Sequence, residues 1–200
     1  MPDLDLYVHF ATRGEVLGAG FDTNPAEWEA KLGPDYLDDR AQDLMRRDYG
    51  LVELSFQADE GTWHCFGISV QAHRLSGGDV STVPAPLRNE YGEFTPRVKF
   101  DELAALITSL GYRIEPDNDA TTTDIRHYRV PESGVRVFVV ADADPCGYAD
   151  VGAEGPAEHR VGDVWSIVLS PAWWSARGLS EDLPQQRCQN SRSQKSYSTK

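Results

Sequence analysis

The fold is decided by residues 46–75, which begin Arg46-Arg47-Asp48-Tyr49-Gly50-Leu51-Val52-Glu53-Leu54-Ser55-Phe56. Apolar side chains alternate with others over residues 52–56, the period-two pattern of a strand with one buried face. After a polar loop at residues 57–62 the alternation resumes, and two such runs joined by a short loop containing glycine indicate a β-hairpin. The second run places Phe66, Ile68, Val70 and Ala72 on one face and Cys65, Gly67, Ser69, Gln71 and His73 on the other.

Upstream of this hairpin, the sequence predicts two short strands followed by two helices. Alternating apolar residues predict strands over Leu4–Phe10 and Glu15–Leu17. The pattern Asn24-Pro25-Ala26-Glu27 has the form of a capping box at the start of a helix, which Gly33-Pro34 ends. Apolar residues at helical spacing predict a second helix over Tyr36–Arg47.

Downstream, Ser76–Pro96 holds two adjacent glycines and three prolines and predicts a long loop. A helix follows over Asp101–Leu110, and the runs Ile125–Val130 and Val135–Val140 flank a turn and indicate a second hairpin. Because the second of these runs is almost continuously apolar, we expect it at the centre of the sheet. A last strand is predicted over Val164–Leu169. The apolar stripe of the helix consists of Leu103, Leu106, Ile107 and Leu110.

These elements predict a single α+β domain over residues 1–184. Its core is a largely antiparallel sheet of five to eight strands with two or three helices packed on one face. The loop near residues 76–99 separates two halves that both run from helix to antiparallel strands, the order expected of a diverged duplication, although no residue-level repeat accompanies it. Residues 185–200 are polar and predict a disordered tail.

Charge is the most informative bulk property. The chain has 200 residues, a net charge of −13 and a pI near 4.7. The last sixteen residues carry four basic and no acidic side chains, so removing them from the net charge leaves residues 1–184 at −17. Such a field repels phosphate backbones, which disfavours nucleic-acid binding, and it attracts a basic protein partner. The same charge is also consistent with solubility alone.

Targeting and redox signals are weak. The acidic start, Met1-Pro2-Asp3-Leu4-Asp5, lacks the layout of a signal peptide, and no apolar run has the length of a membrane span. We therefore expect a cytoplasmic protein that does not enter the membrane. The three cysteines are odd in number and far apart, which disfavours a disulfide framework.

Candidate catalytic and metal-binding groups are scattered. His64, Cys65 and His73 lie on the central hairpin, but a zinc site needs further convergent ligands. A thiol nucleophile with a histidine base has two candidate pairs, Cys146 with His159 and Cys65 with His127, and neither sits in a recognisable motif. The acidic segment 142–150 lacks EF-hand spacing. We therefore expect no enzyme activity, catalytic residue, cofactor or metal.

The tryptophans suggest a binding surface instead. Trp63 is predicted at the hairpin tip beside Asp59 and Glu60, and Trp173 and Trp174 follow the last strand. Tryptophans next to carboxylates suit a protein interface with a basic partner. The alternative is that these tryptophans close the open end of the sheet as ordinary core.

Three short motifs carry a family resemblance: Leu32-Gly33 after a helix, Arg47-Asp48-Tyr49-Gly50-Leu51-Val52-Glu53, and Gln71-x-His73-Arg74-Leu75. They resemble the immunity proteins found beside bacterial polymorphic toxins, over roughly residues 28–75 and more loosely over the helix at 100–112. The resemblance implies an inhibitor that binds a cognate secreted toxin directly, with no cofactor and no catalytic residues. Two alternatives stay open: an enzyme whose site is assembled from scattered His, Cys and Asp residues, and a regulatory protein-interaction module.

Overall fold

Eight antiparallel strands form one sheet in the computed structural model, which describes residues 4–117, 124–142 and 160–172. Four α-helices and two 3-10 turns accompany the sheet in this part of the chain. In chain order the elements are α1 (Asp5–Arg13), α2 (Pro25–Leu32), β1 (Leu37–Ala41), β2 (Leu44–Asp48), β3 (Val52–Asp59), β4 (Thr62–Val70), the 3-10 turns Ala72–Gly77 and Val80–Thr82, α3 (Ala85–Tyr91), α4 (Phe100–Ser109), β5 (Glu115–Pro116), β6 (Ile125–Val130), β7 (Val135–Val140) and β8 (Val164–Leu169).

The strand order is β1-β2-β3-β4-β8-β7-β6-β5, so the sheet is two four-stranded meanders joined at their last strands. Each half of the described chain runs through two helices and then four strands. Helix α1 belongs to the first half but packs against β7, β8 and α4 of the second. The halves therefore share one core, and the prediction of an α+β fold is confirmed.

The main core lies between the helices and one face of the sheet. All four helices contribute to it, and the side chains of Phe10, Trp28, Leu87 and Leu103 are fully buried there, one from each helix. Val137 of β7 faces the same cluster from the sheet. Helix α2 begins with the predicted capping box, in which Asn24 and Glu27 each accept a hydrogen bond from the other's backbone amide.

The predicted strand over Leu4–Phe10 is wrong, because these residues belong to helix α1. The helix packs between the sheet and α4, so Tyr7 is buried beside Leu6 and Val8, and only His9 is exposed among residues 6–11. Burial on most sides of a short helix gives an apolar run that periodicity does not distinguish from a strand. The predicted strand Glu15–Leu17 is instead a turn, closed by a single bridge between Val16 and Ala19.

The predicted helix Tyr36–Arg47 is also wrong, because this segment forms the hairpin of β1 and β2. Every residue of β1 is exposed, including Leu37 at 77%, so the edge strand carries no apolar alternation. In β2, Met45 and Arg47 are buried and Arg46 is exposed. This is the alternation of a strand, but it does not show as alternating polarity in the sequence because the buried residue at position 47 is charged. Register pairs Asp38 with Arg47 across the two strands.

The hairpin of β3 and β4 is confirmed, with a shorter turn than expected and one change of register. A bulge between Ser55 and Phe56 pairs Phe56 with Cys65, so Cys65 faces the main core together with Ile68. The predicted separation of these two side chains onto opposite faces is therefore wrong, because an extra residue in a strand reverses the alternation beyond it. Phe66 is half-buried.

Three further expectations need correction. The segment Ser76–Pro96 contains the end of the first 3-10 turn, the whole second turn and α3, so it is not a plain loop. Strand β7 is third from the β5 edge, and the two middle strands are β4 and β8. Leu110 lies past the end of α4 and is 58% exposed, so it leaves the apolar stripe. The predicted tail, residues 185–200, lies outside the described residues.

Within the described residues, no helix is long and apolar enough to cross a membrane.

Arg47 is a buried charged residue that ties three elements together. Its Nε and Nη2 donate to the two carboxylate oxygens of Asp38 at 2.7 and 3.0 Å, and its Nη1 donates to the carbonyl of Pro25 at 3.0 Å. The guanidinium lies 3.7 Å from the centre of the Tyr36 ring. Planar, bidentate and stacked contacts are the geometry that arginine fits and lysine does not. Arg47 therefore joins β2 to β1 and to the start of α2.

We expect Arg47→Met to lower the free energy of unfolding by about 2 kcal/mol, since it removes the hydrogen bonds from a buried guanidinium to Asp38 and to the carbonyl of Pro25. Urea unfolding followed by circular dichroism measures this. The hydrogen bonds from Arg47 hold the pKa of Asp38 below its ordinary 3.8. A carboxyl with a lowered folded-state pKa contributes stability above its ordinary value and loses it as the pH falls through the folded one. The difference between wild type and variant should therefore shrink below about pH 4.

The neighbouring Arg46→Met is the matched control. Arg46 is on the same strand and 53% exposed, and its one recorded ion pair, with Glu53, spans 3.9 Å. This change should cost less than about 1 kcal/mol, because the buried carboxylate of Glu53 keeps its ion pair with Arg74 at 3.0 Å. Equal losses in the two variants would show that the buried contacts of Arg47 contribute nothing specific.

Candidate functional site

Two hairpin turns bring exposed carboxylates together at one end of the sheet. The turn between β1 and β2 carries Asp43, and the turn between β3 and β4 carries Asp59 and Glu60. The amide of Ala58 donates to the carbonyl of Asp43 at 2.8 Å, so the two turns lie side by side. All three acidic side chains are exposed. We refer to Asp43, Asp59 and Glu60 as the acidic end.

The backbone at this end is strained. Asp59 pairs with Thr62, so the turn is the two-residue loop Glu60–Gly61, with φ of +47° and +82°. Two positive φ values in a two-residue hairpin loop are the type I′ geometry, which favours asparagine or glycine at the first position. A glutamate there costs on the order of 1 kcal/mol. The turn holds an acidic side chain at its tip in a backbone conformation that suits another residue better.

The negative charge of the acidic end is not balanced nearby. Among the described residues, no ion pair is recorded for any of its three carboxylates. Arg40 is the basic residue of β1, and its guanidinium already contacts Asp38 at 3.0 Å. A basic protein surface that approaches this end of the sheet therefore meets unpaired carboxylates.

Trp63 stands next to the acidic end. It pairs with Ala58 across the hairpin, is half-buried, and packs against the main core. Its position is two residues past Gly61, so the tip itself is polar and Trp63 offers only part of its ring to a partner. The other predicted anchors, Trp173 and Trp174, lie outside the described residues.

The structure separates the described cysteine and histidine candidates. Cys65 is 1% exposed on the core face, its Sγ donates to the carbonyl of Gly67 at 3.4 Å, and burial raises the pKa of the thiol to about 12. His127 lies opposite Phe138 on the other face of the sheet, so Cys65 and His127 do not meet. The ring of His73 stacks on Trp165 with centres 4.2 Å apart.

The remaining candidates lie largely outside the described residues. Cys146, His159 and residues 143–150 of the acidic segment are not among the described residues. In the part of the chain that is described, no group of three or more His, Cys, Asp or Glu side chains is placed to hold a metal ion.

Asp43 is the member of the acidic end that sequence reasoning missed. The segment Tyr36–Arg47 was assigned to a helix, which placed Asp43 far from Asp59 and Glu60. The available signal was Asp43 itself, since aspartate is one of the residues that favour turns. Gln42 has a φ of +53°, which also marks the turn.

Comparison with protein-family models, with curated proteins and with solved structures found no match.

We expect Cys65 to resist alkylation in the folded protein. A thiol with a pKa near 12 is almost entirely protonated at pH 8, and the buried Sγ is closed to reagents. Iodoacetamide treatment with and without denaturant, followed by peptide mass spectrometry, tests this residue separately from Cys146 and Cys188. Labelling of Cys65 in the folded protein as fast as in the unfolded chain would contradict both its burial and its inertness.

Proposed function

We propose that this protein is an acidic binding protein that inhibits a basic partner by occupying its cationic surface, in the manner of a toxin immunity protein. The observation that carries the proposal is the acidic end: three exposed carboxylates, unbalanced by any recorded ion pair, on two adjacent hairpin turns. The net charge of −13 supports it, and the sequence motifs around residues 28–75 supply the resemblance to immunity proteins.

The placement of these charges suits recognition. A hairpin tip on a sheet is held in place before binding, so little conformational entropy is lost on association. Uncompensated charge at the edge of an interface acts mainly on the association rate, and Trp63 supplies apolar area beside it. Blocking a cationic groove by charge and shape requires no catalytic group. The protein therefore acts stoichiometrically and without catalysis in this role.

Because Glu60 is both charged and unfavourable in its turn, substitutions at this position can distinguish the effect of its charge on binding from its effect on the stability of the fold. Glu60→Asn should raise the free energy of unfolding by about 1 kcal/mol, because asparagine before glycine fits the type I′ turn. The same change should slow association with a basic partner several-fold, because it removes a carboxylate from the acidic end. Urea unfolding gives the first quantity. Surface plasmon resonance at low and high salt gives the second, with a partner captured from the native strain.

Two matched variants complete the design. Glu60→Gln removes the same charge but keeps a residue that is unfavourable in the turn, so it should slow association without the gain in stability. Glu90→Gln removes one exposed carboxylate from α3 and should leave the association rate nearly unchanged at physiological salt. If both charge-removing variants at position 60 bind at the wild-type rate, the acidic end is not the docking surface.

A further inference from the structure

A cavity of about 550 Å³ lies between the first 3-10 turn and the segment that contains α3. It is lined on its apolar side by Leu75, Val83, Phe94 and Pro96. Leu75 and Val83 are buried members of the main core, so this wall is fixed. Phe94 is half-buried and its ring meets the ring of Tyr7 edge-on at 6.3 Å. The volume and the apolar wall are those of a small-molecule site.

Two glycines line the mouth of the cavity, where the space around them is open. Gly78 and Gly92 both line it, with left-handed φ values of +69° and +81°. No atom lies within 4 Å of the position that a Cβ would occupy at either residue. Helix α3 forms one side of the mouth and is held by Leu87, whose side chain is fully buried.

Charges of both signs surround this mouth. Arg88 of α3 lines the cavity together with Asp79 and Glu93. Asp79 accepts the amide of Ser81 at 2.8 Å, and the hydrogen bonds from Ser81 lower the pKa of its carboxyl, so it is ionised at neutral pH. Among the described residues, no ion pair is recorded for Arg88, Asp79 or Glu93. One cation and two anions are thus available to a ligand above an apolar floor.

We infer that this cavity binds a zwitterionic small molecule with an apolar body, of the class of a short hydrophobic peptide with free termini. The ligand carboxylate pairs with Arg88, its ammonium group pairs with Asp79 or Glu93, and its side chains cover Leu75, Val83 and Phe94. A ligand with only one charge can form only one of these two ion pairs, and an uncharged ligand can form neither. The inference does not depend on the proposed function, since the cavity does not include the acidic end.

The test uses four probes that share one apolar body: the dipeptide Leu-Phe, its N-acetyl form, its C-terminal amide, and the form capped at both ends. Isothermal titration calorimetry on the full chain measures their affinities. We expect the free dipeptide to bind at least tenfold more tightly than the doubly capped form, as for the gain of a charge-assisted hydrogen bond. The singly capped forms should fall between these two.

Variants assign the charges. Arg88→Gln should weaken the free dipeptide and the N-acetyl form about tenfold and leave the two amidated probes unchanged. Glu93→Gln should instead weaken the probes that keep an ammonium group. Arg113→Gln makes the same change at an exposed residue outside the cavity and should alter none of the affinities. All three residues are exposed, so thermal unfolding should show intact folds.

Three results would overturn the inference. The first is no binding of the free dipeptide at millimolar concentration, and the second is equal binding of the free and doubly capped forms. The third is an Arg88→Gln variant that weakens the amidated probes as much as the probes with a free carboxylate. The last result would show that Arg88 shapes the cavity without recognising the ligand.

Discussion

The whole sheet depends on a short join between its two meanders. Strands β4 and β8 pair over only three positions, Ile68 with Leu169, Ser69 with Val168, and Val70 with Ile167. A ladder of this length does not hold eight strands together without further packing. On one face α1, from the first half of the chain, packs on β7 and β8 of the second half, and next to the join the ring of His73 stacks on Trp165. Neither half of the chain completes its core alone, which is why the two similar halves form one domain.

The arginines explain how so acidic a chain folds and why its surface stays acidic. Several of them form ion pairs within the structure: Arg47 with Asp38, Arg97 with Asp163 at 2.7 Å, and Arg136 with Asp117 at 2.9 Å. Asp163 and Asp117 are buried, and each would be costly without its arginine, whereas in the first pair the buried member is Arg47 itself. Because the basic side chains neutralise the interior acids, the excess of negative charge appears on exposed turns. Self-repulsion among these turns is tolerable because water screens them.

Sequence reasoning succeeded where strands carry alternating polarity or a run of β-branched residues, even when burial is nearly complete. The hairpin of β3 and β4 alternates in polarity, and β8 was recognised although five of its six residues are buried. It failed at helix α1, whose buried apolar run also alternates like a strand, and at β1, whose residues are all exposed. Asp59 and Glu60 were placed correctly because they follow an alternating strand, and Asp43 was missed with β1. The cavity beside α3 arises from packing between distant segments, which no local pattern reveals.

The position of the charges matters more for recognition than their number. At physiological salt the screening length is about 8 Å, so carboxylates on opposite ends of the sheet do not act on the same partner group. The net charge of −13 would therefore guide the proposed basic partner mainly at low salt, when the screening length is several times longer. At physiological salt only a local cluster still steers association. The pairing of Ala58 with Asp43 creates such a cluster by setting the two turns side by side. Charge alone marks many acidic proteins, but the register that brings these turns together is a property of this fold.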